Sequence, residues 1–150
     1  MRLIRRIKHV LYWLPIIWAD HDWDWGYLLT MLIHKLESMR ELFQSDDAMC
    51  EDAETVAEQI EAALVFLRNV NDNIYEDSVI DEHERVYGES EIVFDDVTIS
   101  LVYPHDDTGH TEEQRAKHHV DLYKKACEQK QNAIEHAFSI IGENLMNWWD

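Results

Sequence analysis

Residues 51–70 read EDAETVAEQIEAALVFLRNV, and their spacing sets the fold class. Ala53, Val56, Ala57, Ile60, Leu64 and Leu67 recur at steps of three and four, the period of one face of an α-helix. Ile74 can extend the same stripe. Upstream, a helix begins near Asp22 and runs to about Phe43, with Trp25, Leu28, Leu29, Leu32, Leu36, Met39 and Phe43 in phase. Asp22 and Asp24 suit its first turn because they oppose the positive end of the helix dipole. Before it, Arg2 to about Trp18 forms a first helix. Downstream, Thr111-Glu112-Glu113-Gln114 is a capping box that opens a long last helix. Its seam is Ala116, Val120, Tyr123, Cys127, Ile134, Ala137, Ile141, Leu145 and Trp148, interrupted by Lys130. Residues 75–110 break the helical period. Val97, Ile99, Leu101 and Tyr103 alternate there as in a strand, and Glu91 to Phe94 can pair with them across Asp95-Asp96. The expected fold is mainly α: a single helical domain over 1–150, built as an antiparallel bundle of about four helices. An irregular insertion is expected at about 75–110, acidic and partly β from about 88 to 110.

The chain has 150 residues, the size of one domain. Asp and Glu number 31 against 13 Lys and Arg, for a net charge of −18, which excludes a surface that wraps nucleic acid. With 46% apolar residues and six Trp, the chain is not an acidic disordered tail. Cys50 and Cys127 read as reduced thiols of a cytosolic protein, with a single disulfide between them as the alternative. The charge is uneven. Residues 41–113 hold 22 acids and only two bases, Arg68 and Arg85. Such a middle is either a solvated face or a contact surface for a basic partner. Glu54, Glu58, Glu61, Asp95 and Asp96 are the candidate contact residues. A DNA-binding protein is one such partner, with the acids standing in for phosphates.

Arg2, Arg5, Arg6 and Lys8 precede an apolar stretch from Val10 to Ala19. Ten apolar residues are too few to span a bilayer, and Trp18-Ala19-Asp20-His21 is a poor leader-peptide cleavage site. The favoured reading is a first core helix whose bases answer the acidic middle. The other is a basic amphipathic helix lying on an anionic membrane.

Nine His residues raise the question of metal. His21, Asp22 and Asp24, with His118 and Asp121 in an HxxD pair, form the candidate ligand set for a divalent ion. The Glu-x-x-His order used by di-iron bundles is absent. Glu51/Glu54 and Glu58/Glu61 give ExxE, but the ExxD partner used by small all-helical magnesium pyrophosphatases is absent too. A His-Asp phosphohydrolase dyad at His21-Asp22 would sit too near the N-terminus. No nucleophile elbow or phosphate loop occurs. Trp23, Trp25, Trp148 and Trp149 cluster at the two ends of the helical sequence. They either lock the bundle closed or form an aromatic platform for a partner.

His21-Asp22-Trp23-Asp24-Trp25-Gly26-Tyr27-Leu28-Leu29, then Lys35-Leu36-Glu37-Ser38-Met39, and finally Asn147-Trp148-Trp149-Asp150 form a set. It resembles a group of small uncharacterised proteins of tailed bacteriophages, which share an HDWD-like start, a KLE-M helix and a terminal WWD. The likeness covers about half the chain and carries no catalytic residues. It implies a phage-encoded helical protein in the host cytoplasm. The resulting expectation is a non-enzymatic accessory protein without a cofactor. Its acidic surface would block or sequester a host protein with a basic surface, or a small signalling ligand, in counter-defence or host takeover. No direct nucleic-acid contact and no membrane span are expected, and a homodimer is open. The alternatives are a small metal-dependent hydrolase on a helical bundle and an acidic DNA-mimic inhibitor.

Overall fold

The computed structural model describes residues 2–19, 25–46, 48, 51–94, 99–104 and 108–149, of which 2, 5, 99–101 and 149 are described by backbone alone. The fold is mainly α. The elements are α1 (Arg2–Trp18), α2 (Trp25–Phe43), α3 (Ala53–Asn71), α4 (Ile74–Tyr87), β1 (Glu91–Phe94), β2 (Ile99–Val102), α5 (Glu112–Asn144) and a closing 3-10 turn (Asn147–Trp149). They fall into two compact units. The first holds residues 1–71 and 136–150, the second residues 72–135.

In the first unit α2 and α3 form an antiparallel pair. The Thr30 hydroxyl, early in α2, donates to Asn71 at the end of α3 at 3.2 Å. Further along, Arg68 donates to Glu37 at 2.7 Å and to Glu61 at 3.0 Å, and Arg40 also binds Glu61. The core between the helices is Leu29, Ile33, Leu36, Met39 and Phe43 against Val56, Ala57, Ile60, Ala63, Leu64, Leu67 and Val70. The α3 stripe predicted from spacing is therefore the buried one. On α2 the buried face is turned slightly from the expected one: Ile33 is inside, while Trp25 and Leu28 are exposed. Ala137 and Ile141 of α5 and Trp148 of the closing turn complete this core.

Ile74 does not extend α3. Asn73 stands at φ 56°, a left-handed conformation that ends the helical run, and Ile74 begins α4 as an exposed residue. Asn adopts this region more readily than most residues because its short polar side chain bonds locally.

Helix α1 forms as expected, but the expectation that it is a core helix is overturned. Leu3, Ile4, Ile7, Val10, Leu11, Leu14, Ile17 and Trp18 are all exposed, from 46% for Leu14 to 85% for Trp18. Its contact with the rest of the unit runs through other residues. Tyr12 stacks on His34 of α2 at 4.0 Å, and Trp13 meets the same ring edge-on at 4.7 Å. No helix among the described residues is long and apolar enough to cross a membrane.

In the second unit, residues 75–87, expected to be irregular, are helical and belong to α4. Its buried stripe is Val79, His83 and Tyr87, one turn apart. Past it, β1 and β2 pair antiparallel, with Glu91 opposite Val102 and Phe94 opposite Ile99. The α5 capping box forms in both directions: Thr111 N–H donates to Gln114 Oε1 at 2.8 Å, and Gln114 N–H to Thr111 Oγ1 at 3.3 Å.

The seam predicted for the first half of α5 is corrected. Ala116, Val120, Tyr123 and Cys127 are exposed, so Cys127 is not a core thiol. Arg115, His118, Leu122, Ala126, Lys130 and Ala133 turn inward instead. Lys130, which interrupts the apolar pattern, binds Glu76 of α4.

Candidate functional site

The site is assembled where α4, the β1–β2 ribbon and the start of α5 meet in the second unit. Helix α4 ends at Gly88, whose N–H donates to Glu84 O at 2.8 Å with φ at 82°, a turn that glycine makes without steric penalty. The chain then enters β1. Ser90 Oγ donates to Glu84 Oε1 at 3.0 Å, tying the first strand to α4. The second strand leaves through Tyr103, whose ring lies 5.2 Å from His83 and 6.1 Å from Tyr87. Both ends of the ribbon are thus fastened to one helix.

The fastening point is a cluster of imidazole and phenol rings. Around His83 lie Tyr87 at 4.6 Å, His119 at 5.3 Å and His118 at 5.5 Å, while His110 abuts Tyr87 at 5.7 Å. The Arg115 guanidinium lies over the Tyr103 ring at 5.8 Å and donates to His110 O at 3.2 Å. His83 is 3% exposed. Its Nε2 sits 3.3 Å from Arg115 O, and a carbonyl can only accept, so Nε2 carries the proton and Nδ1 is bare. Nδ1 of His83 and of His118 have no hydrogen-bond partner among the described residues. Burial holds His83 below the usual histidine range. The Arg115 carbonyl works against this, while His119, His118 and the Arg115 charge add to it. Burial likewise raises the Tyr103 phenol, helped by Glu84. His83 and Tyr103 are therefore both held toward their neutral forms.

This chemistry gives a pH prediction. The folded protein keeps His83 neutral, whereas the unfolded chain takes up a proton near pH 6.5. The stability from neutral His83 is full above about pH 6.5 and falls below it, by up to about 1.4 kcal/mol per pH unit. Tyr87, Tyr103, Arg115, His118 and His119 surround the ring, and none offers a negative charge to offset the proton. His83→Phe should flatten this loss when denaturation is followed by circular dichroism at pH 7.5, 6 and 5. An equally steep loss in the variant would show that His83 is not the titrating group.

On this support the ribbon presents apolar side chains to solvent. Phe94 is 73% exposed, and Ile92, Val93 and Val102 are exposed with it. Register places Leu101 opposite Ile92 and Ile99 opposite Phe94. Glu89 and Glu91 are exposed beside them. From residue 86 to 114 the sequence has eight acids and no Lys or Arg.

The residues singled out from sequence separate. Glu54 and Glu58 are exposed on α3, one turn apart. Glu61 faces α2 and is held between Arg40 and Arg68. Burial raises its carboxyl, but the two arginines outweigh that and keep it below the usual range. It braces the helix pair. Asp95 and Asp96 lie outside the described residues, as do His21, Asp22, Trp23 and Asp24. Trp25 is exposed while Trp148 is buried, so these two do not share one aromatic surface. Of the proposed metal set, His118 lies in the ring cluster and Asp121 is exposed. Among the described residues no three His, Cys, Asp or Glu side chains converge as metal ligands. Sequence reasoning missed His83, Tyr87 and Tyr103. The available signal was Val79, His83 and Tyr87 at one-turn spacing.

Comparison with protein families, with curated proteins and with solved structures finds no match to this chain.

Proposed function

We propose that the chain is a non-enzymatic binding protein that blocks or sequesters a protein with a basic surface, using the β1–β2 ribbon as its contact element. The observation that supports this is Phe94, 73% exposed on a two-stranded ribbon that is fastened to α4 through Ser90 before β1 and Tyr103 after β2. An exposed aromatic residue is a typical binding anchor, because it buries a large area on contact. The acids around it would steer a basic partner and set register. Exposed Phe94 and Ile92 favour a protein contact over imitation of DNA, since a phosphate-like surface gains nothing from apolar side chains. The resemblance to tailed-phage proteins makes a bacterial host protein the natural target.

The test is capture from host extract with the tagged full chain, then titration of the captured protein. Ile92→Ala with Phe94→Ala should weaken binding about tenfold or more. Asp95→Asn with Asp96→Asn and Glu91→Gln should weaken it less and flatten its salt dependence. Capture that survives both sets of changes and ignores salt would remove the ribbon from the contact.

A further inference from the structure

We propose that α1 is an in-plane membrane helix, which lays its exposed apolar face on an anionic bilayer surface. This inference is independent of the ribbon. At about 100° per residue, Leu3, Ile4, Ile7, Val10, Leu11, Leu14, Ile17 and Trp18 occupy one arc about 140° wide and roughly 23 Å long. Every one of them is exposed. The side of α1 that packs on its own unit is a different one, through Tyr12 and Trp13 on His34. Folding has therefore used one face of the helix and left the other uncovered.

The charges identify the occupant. Helix α1 holds four bases, Arg2, Arg5, Arg6 and Lys8, and no acid, so the rest of the chain carries −22. Arg6 and Lys8 fall on opposite shoulders of the apolar arc, and both are exposed. A seam meant for another helix is narrower and flanked by charges of both signs. A broad apolar arc with cations alone on both shoulders, ending in an exposed Trp, is instead the cross-section of an interfacial helix. Anionic headgroups pair with the cations and repel the acidic remainder, which makes α1 the part of the chain that touches lipid.

The test is co-sedimentation of the full chain with phosphatidylcholine vesicles and with vesicles containing one quarter phosphatidylglycerol. The wild type should bind the anionic vesicles and release as salt rises, and bind the neutral ones at least tenfold less. Ile7→Glu with Leu11→Glu should abolish binding. Arg6→Glu with Lys8→Glu should lower it by about tenfold or more. All four side chains already face solvent, so the far-ultraviolet circular dichroism of both variants should match the wild type. The proposal is overturned if the wild type stays in the supernatant with anionic vesicles, or if the Ile7/Leu11 variant binds like the wild type. Sedimentation velocity showing a dimer that this variant dissolves, without vesicle binding, would assign the face to a second copy.

Discussion

Trp148→Ala should lower the melting temperature of the first unit by roughly 12–40 °C. Trp148 is 1% exposed, and its indole N–H donates to Gln59 Oε1 at 2.9 Å. Removing a buried indole costs about 3–5 kcal/mol in lost burial and residual cavity, a large part of a small unit's whole stability. Deleting residues 147–150 should cost about as much. Trp148→Phe should fall between, because the ring still fills much of the space but Gln59 loses its donor, a loss of about 1–3 kcal/mol. Melting followed by circular dichroism reads all three. An unchanged melting temperature in Trp148→Ala would take this residue out of the core and revive the aromatic-platform reading of the terminal tryptophans.

The parts of the fold that were legible are those where packing alone decides the residues. On α3 every position of the apolar stripe from Val56 to Leu67 is inside, because the buried face contacts only other apolar side chains. The capping box is also legible, being a local exchange of two hydrogen bonds. Helix α4 was not, since its buried stripe has His83 between Val79 and Tyr87 and the apolar period is broken at its centre. The same cause misplaced the first half of the α5 seam. Its inward face carries Arg115, His118 and Lys130, while Val120 and Tyr123 face water, so a hydrophobic count selects the wrong side. Helix α1 failed in the opposite way. Its apolar face is real but is left uncovered by the chain's own core, which no periodicity can foretell. The ribbon pairing was readable from alternation, whereas its attachment through Glu84–Ser90 and Tyr103–His83 depends on contacts remote from the strands.

Lys130→Met should destabilise the second unit by about 2 kcal/mol, and Glu76→Gln by less. Breaking a fully buried ion pair costs about 3–5 kcal/mol. Here Lys130 is 17% and Glu76 32% exposed, so water screens part of that loss. The asymmetry follows from the surroundings. Residues 72–135 hold 17 acids and six bases, so removing the lysine leaves a half-buried carboxylate in a negative field. Glu76 Oε2 already lacks a hydrogen-bond partner among the described residues, which makes an uncompensated charge there more costly. Removing the glutamate charge instead leaves a lysine whose long stem can carry its ammonium to water. The double variant Lys130→Met with Glu76→Gln should recover more than half of the single lysine loss, because neither charge is then stranded. Urea denaturation of the four chains gives the coupling energy directly. Additive losses, with the double variant weaker than either single one, would mean that Lys130 stabilises α5 by packing of its stem alone and that its pairing with Glu76 contributes nothing.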